Sequence, residues 1–87
     1  MQGLARWRSH KTVQAGKIKS IEHHSMDANF LLEGEVGDFE LTVDNKVFAR
    51  GWPSIGDYIV VYEDGYISWS PARPFEDGYT IMDGDNR

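Results

Sequence analysis

The stretch GDYIVVYEDGYISWS, residues 56–70, decides how the rest of the chain is read. Two runs rich in β-branched and aromatic residues flank Asp64-Gly65. That dipeptide between such runs predicts a two-residue hairpin, because a type I′ turn needs positive φ at both central positions. The turn sets the pairing: Glu63 opposite Tyr66, Tyr62 opposite Ile67, Val61 opposite Ser68 and Val60 opposite Trp69. Side chains alternate across a strand. One face then carries Tyr58, Val60, Tyr62, Ile67 and Trp69, which the pattern makes the core side. The other face carries Ile59, Val61, Tyr66, Ser68 and Ser70.

Working outward, Pro71 and Pro74 remove two backbone donors and end the second run. Pro74-Phe75-Glu76-Asp77 before Gly78 predicts a single helical or 3₁₀ turn that drops Phe75 into the core. Tyr79 to Met82 reads as a last short strand. Upstream, Phe39, Leu41 and Val43 alternate with Glu40 and Thr42, the period of a half-buried strand. Asp44 as N-cap, Gly51 at C′ and Pro53 beyond it predict a short helix over 44–51 in preference to a second hairpin. Phe30-Leu31-Leu32 forms another short strand. Residues 12–22, TVQAGKIKSIE, read as a strand in which Gly16 marks a β-bulge, since Ile18 falls on the opposite parity to Val13 and Ala15. The expected class is α+β: a small antiparallel sheet of four or five strands with the Asp-Gly hairpin and one or two short helical turns. Residues 1–10 read as a basic N-terminal arm, 11–82 as a single globular domain and 83–87 as a flexible acidic tail.

With 87 residues and no cysteine, neither disulfides nor a thiolate metal site supplement the core. Aromatic residues make up 13% of the chain, and each removes a large area from water when buried, so few are needed to hold a small core. The opening MQGLARWRSHK is basic but leads into no apolar run, and no stretch nears the ~20 apolar residues of a membrane span. These features predict a cytoplasmic protein with no membrane partner.

The net charge of −5 is unevenly spread. Residues 1–24 hold five basic side chains (Arg6, Arg8, Lys11, Lys17 and Lys19) against Glu22, and the remainder holds four basic and thirteen acidic ones. Attraction to a phosphate backbone rests on Lys and Arg, so nucleic acid is an unlikely partner except through the basic arm.

Catalytic chemistry finds little to work with. There is no GxxxxGK[ST], GxSxG or HExxH, and no Cys nucleophile. Glu63 and Asp64 occupy a hairpin tip, the wrong place for the burial a general acid or base needs, and Glu76 suits a capping role. Of the three histidines, His23 and His24 point to opposite sides of an extended chain, and His10 meets either only if the arm folds back. Gly34-Glu35-Val36-Gly37 has the spacing of a nucleic-acid clamp but sits among Glu33, Glu35 and Asp38, so it reads as a turn. The expectation is therefore no catalytic site, no cofactor and no metal. Most aromatics belong to the core. Trp7 and Tyr66, with Arg6, Arg8, His10 and Lys11 nearby, are the candidate protein-interaction residues, being of the types enriched at binding hot spots or charged neighbours of them.

Two blocks carry a family likeness. The first is H-K-x-V-x-A-x-K-I, here His10, Lys11, Val13, Ala15, Lys17 and Ile18. The second is G-x-Y-x-V-x-Y-x-D-G-Y-x-S-x-S-P-A-x-x-F-E-x-G-Y-T, which runs from Gly56 to Thr80. In these blocks the chain resembles small phage and prophage proteins of uncharacterised function. The resemblance implies a mobile-element origin and a place in the host cytoplasm, and carries over no catalytic residue. Composition and context together predict a phage accessory protein that acts as a binding module, a stoichiometric inhibitor of a host defence or regulatory protein. Two alternatives stand beside it. One is a self-associating virion or assembly component, a homodimer pairing through an edge strand at 12–22. The other is a small-ligand or nucleotide-sequestering protein.

Overall fold

The computed structural model describes residues 1–9 and 11–82. In chain order it contains β1 (Ala5–Arg8), β2 (Thr12–His23), β3 (Asp27–Glu33), β4 (Asp38–Asp44), a 3₁₀ turn (Asn45–Phe48), β5 (Tyr58–Val61), β6 (Ile67–Ser70), α1 (Ala72–Gly78) and β7 (Thr80–Ile81). Every strand pairing is antiparallel. The hydrogen-bonded path is β4-β3-β2-β1-β7, with β5 on β2 and β6 on β5.

Strand β2 is the spine. At about 3.3 Å per residue its twelve residues make a ribbon ~40 Å long, comparable with the longest molecular dimension of 42 Å. Thr12 to Ala15 pair with β1, Gln14 to Lys17 with β5, and Ile18 to His23 with β3. This central place overturns the edge-strand role expected for 12–22.

The fold class also needs correcting. Among the described residues, seven strands and one helix of seven residues make a mostly β protein, not an α+β one with four or five strands. Part of the difference is the segment read as an arm, which supplies β1. Leu4 is buried at 1% exposure, and Ala5 and Trp7 turn to one face of β1 while Arg6 and Arg8 turn to the other. The alternation is real, but its apolar half is only two residues long and the arginines mask it.

The Asp-Gly hairpin forms with a different turn. Among the described residues no non-glycine has positive φ, and only Gly65, at φ 91°, is left-handed here. Gly65 N–H donates to Tyr62 O (2.9 Å) and Tyr62 N–H to Tyr66 O (2.9 Å), while Asp64 Oδ1 accepts from Tyr66 N–H (3.0 Å). This is a type I turn closed by a glycine bulge, a three-residue loop rather than two. Pairing therefore slips by one, to Val61 with Ile67, Val60 with Ser68, Ile59 with Trp69 and Tyr58 with Ser70. A one-residue slip exchanges the faces. Ile67 and Trp69 join Ile59 and Val61, and the indole of Trp69 donates to Gly51 O (3.1 Å).

The parity change along β2 has a physical cause other than a bulge at Gly16. The strand is buried on both faces there. Val13 and Ala15 pack with Tyr58, Val60 and Phe75 beneath α1, while Ile18 packs with Leu4, Phe30, Leu32, Ile59 and Val61 on the other side. Gly16 leaves room for that second layer: a Cβ would lie 2.9 Å from both Glu33 O and Leu32 Cβ. The irregularity falls between Ile18 and Ser20, so that Ile21 continues the inner face after Lys19.

Other local expectations hold. Asp44 Oδ1 accepts from Lys46 N–H (2.8 Å) and caps the 3₁₀ turn, which is shorter than the 44–51 helix read from the sequence. Phe48 is buried, with Trp52 stacked on it at 4.5 Å. Phe75 of α1 is buried at 2% exposure. Gly34 to Gly37 form the β3–β4 turn, closed by Gly34 N–H to Gly37 O (2.9 Å).

Candidate functional site

Of the interaction residues named from the sequence, Arg6, Arg8, Lys11 and Tyr66 fall at the Thr12 end of β2, and the topology explains why. β1 runs antiparallel to β2 and β5 pairs beside its other edge, so the β1–β2 connection and the β5–β6 tip end up together. Lys11 places Nζ 5.6 Å from the centre of the Tyr62 ring, and the Tyr66 ring lies 5.8 Å from Tyr62. Lys11, Tyr62 and Tyr66, with Glu63 and Asp64, line a cleft of about 520 Å³. A second cleft of about 530 Å³ shares Thr12, Tyr62 and Glu63 and extends to Arg6 and Gln14. Arg8 is exposed near the same end, on the Arg6 face. The structure thus gathers Arg6, Arg8, Lys11 and Tyr66 around one hairpin tip. His10 lies outside the described residues, as does the acidic tail.

Trp7 is placed differently. It turns to the opposite face from Arg6 and Arg8 and stands edge-on to Phe75 (5.0 Å) and Tyr58 (5.7 Å). It belongs to the packing beneath α1, and its buried Nε1 has no hydrogen-bond partner among the described residues. Such a donor forfeits its bond to water without replacement.

Tyr62 keeps the core-side face expected of it, packing against the core of Tyr58, Val60 and Phe75, and its half-buried ring also lines both clefts. Sequence reasoning missed two participants. Asp57 joins two elements, accepting from Ser54 N–H (2.9 Å) and, through its other oxygen, from Ala72 N–H at the start of α1 (3.0 Å). A Gly-Asp pair ahead of a strand was its only signal. Glu76 Oε2 accepts from the Tyr58 hydroxyl (2.8 Å) and from Lys17 Nζ (3.3 Å). The hydrogen bonds from Tyr58 and then Lys17 hold the Glu76 carboxyl below its ordinary range. Burial, followed by the hydrogen bond to Glu76, pushes the Tyr58 phenol above its own.

The other histidines serve different neighbourhoods. His23 stands edge-on to Trp52 at 4.7 Å, and His24 Nε2 is 4.0 Å from Glu22 Oε2. What the Thr12 end offers is stacking on two tyrosines, hydrogen bonding, and cationic side chains beside two carboxylates. No helix among the described residues is long and apolar enough to cross a membrane.

No family model matches the chain. Over 77 residues it is 34% identical to the DNA replication and repair protein RecF of Shewanella baltica and of Shewanella putrefaciens. Each match covers 86% of this chain and 20% of the relative, so the chain spans about a fifth of the length of these curated relatives. Among solved structures, the monomeric form of the phage L decoration protein is similar in fold, with a TM-score of 0.59 and 25% identity. That likeness supports the phage kinship read from the two sequence blocks. It covers 93% of this chain and 60% of the other, making the described fold similar to that of a phage decoration protein over most of its length.

Proposed function

We propose that this chain is a non-catalytic phage structural component that decorates a capsid surface through protein–protein contact. The likeness of fold to the phage L decoration protein carries the reading. The Thr12 end supports it, because Tyr and Arg beside an exposed hairpin tip are hot-spot residue types. The aromatic residues do not favour a stacking platform for a sequestered ligand: Trp7, Tyr58, Phe75 and Tyr79 pack on one another. The virion role is preferred to the host inhibitor expected from composition, since a specific likeness favours only the former.

Co-sedimentation tests it. Purified protein mixed with capsids of the encoding phage should pellet at a saturable, fixed stoichiometry, and Arg8→Glu with Tyr66→Ala should weaken that binding. Protein left in the supernatant while it titrates a soluble host protein would return the argument to inhibition. The RecF likeness favours a second reading, contact with DNA, which demands strongly salt-dependent retention of DNA. The net charge of −5 weighs against it.

A further inference from the structure

Strand β6 pairs only with β5 among the described residues, so one of its edges is open. The hairpin bond between Tyr62 and Tyr66 sets which groups face that edge. Hydrogen-bonded pairs alternate in an antiparallel ladder, so Ser68 and Ser70 turn their backbone toward β5 while Ile67 and Trp69 turn theirs outward. A cleft of about 540 Å³ opens between β6 and the segment that begins with the 3₁₀ turn. Its lining includes Tyr66 and Ser68 from one face of β6 and Trp69 from the other, so it follows the strand's edge rather than either face. Opposite stand Lys46 and Arg50, both exposed, and among the described residues no carboxylate lines the cleft. The bond from the Trp69 indole to Gly51 O holds the two walls together.

An open strand edge is a template for another strand, and proteins commonly guard such edges with charge. The guard at the other long edge is acidic: β4 carries Asp38, Glu40 and Asp44 on the face away from the core. At β6 the nearby charge is positive. We propose that the β6 edge is a strand-addition site for an acidic extended segment of a partner protein. Its backbone pairs with Ile67 and Trp69, and its carboxylates meet Lys46 and Arg50. The site shares Tyr66 with the Thr12 end but is built on other residues, and it does not depend on the partner being a capsid.

The test titrates ¹⁵N-labelled full-length protein with an end-blocked synthetic peptide of about six residues alternating Glu and Val, the length of an ordinary strand. Resonance shifts should centre on Ile67 to Ser70, the Trp69 indole and residues 46–51. The double variant Lys46→Glu, Arg50→Glu should bind roughly tenfold more weakly, as expected for two partly exposed charge contacts. Neither side chain is buried, so the variant should keep the native spectrum elsewhere. Two further peptides carry N-methyl groups on one or the other alternate set of amides. One should lose binding and the other keep it, because only one edge of an added strand faces β6. Equal binding by both would leave charge capture alone and overturn the proposal, as would equal binding of a Lys-Val peptide. Concentration-dependent shifts at β4 and β6 of the protein alone would overturn it too, giving the edge to a second copy.

Discussion

At the scale of single residues, two glycines and one tryptophan separate different physical constraints. Gly16 is limited by space: a Cβ there would meet Glu33 O and Leu32 Cβ at 2.9 Å and Leu4 Cδ2 at 3.0 Å. Gly65 has nothing within 4 Å of such an atom but holds φ at +91°. Gly16→Ala should therefore cost about 1–3 kcal/mol through overpacking, and Gly65→Ala about 1 kcal/mol through backbone strain. Urea unfolding measures both, and an unchanged midpoint for Gly16→Ala would contradict the close approach. Trp7 supplies ring area but strands a donor. Trp7→Ala should lose about 3–5 kcal/mol. Trp7→Phe should lose clearly less, since it keeps an aromatic ring and removes the unpaired N–H.

At the scale of elements, α1 shows how seven residues are held. A helix this short has little stability of its own. Phe75 stacks on Tyr58 at 4.4 Å and on Tyr79 at 4.6 Å, Asp57 satisfies the Ala72 N–H, and Glu76 joins Tyr58 and Lys17. The last contact makes the docking pH-dependent at both extremes. Glu76 titrates lower folded than unfolded, so its contribution is complete above the ordinary carboxylate value of 4.5 and is lost as pH falls through the folded value. Tyr58 titrates higher folded than unfolded, so its contribution is complete below 10.0 and is lost as pH rises through the folded value. Melting temperatures across pH should show a flatter acid limb for Glu76→Gln and a flatter alkaline limb for Tyr58→Phe. Wild-type slopes in both variants would remove the triad from the account.

At the scale of the whole molecule, β2 contributes to both cores, Val13 and Ala15 to one and Ile18 to the other. Neither core can dissolve without releasing the strand that borders the other, so unfolding should be a single transition. Phe30→Ala and Phe75→Ala, one in each core, should each cost about 3–5 kcal/mol and lower the same midpoint. Far-ultraviolet and near-ultraviolet circular dichroism should stay coincident in both. A separated near-ultraviolet transition in Phe75→Ala would show the layer beneath α1 melting alone. The same strand order leaves β4 and β6 as edges with opposite neighbouring charge.

The amino-acid sequence by itself determined what local chemistry dictates. The alternation of β4, the Asp44 cap, Pro71 as a stop and the descent of Phe75 each follow from a few adjacent residues. The presence of a hairpin at Asp64-Gly65 was legible in the same way. Tertiary structure decided the rest. Asp64 keeps negative φ, and the resulting slip lays Trp69 beside Ile59 and within reach of Gly51 O, a partner eighteen residues away. That slip also takes Ile67 and Trp69 off the face they were expected to share with Tyr62. Ala5 and Trp7 become a strand only because β2 and β7 flank β1, and Gly16 is legible as a packing glycine only once Leu4 and Leu32 close over it. Local signals set which segments are strands; long-range packing chose their register, and the register determines which side chains a partner meets.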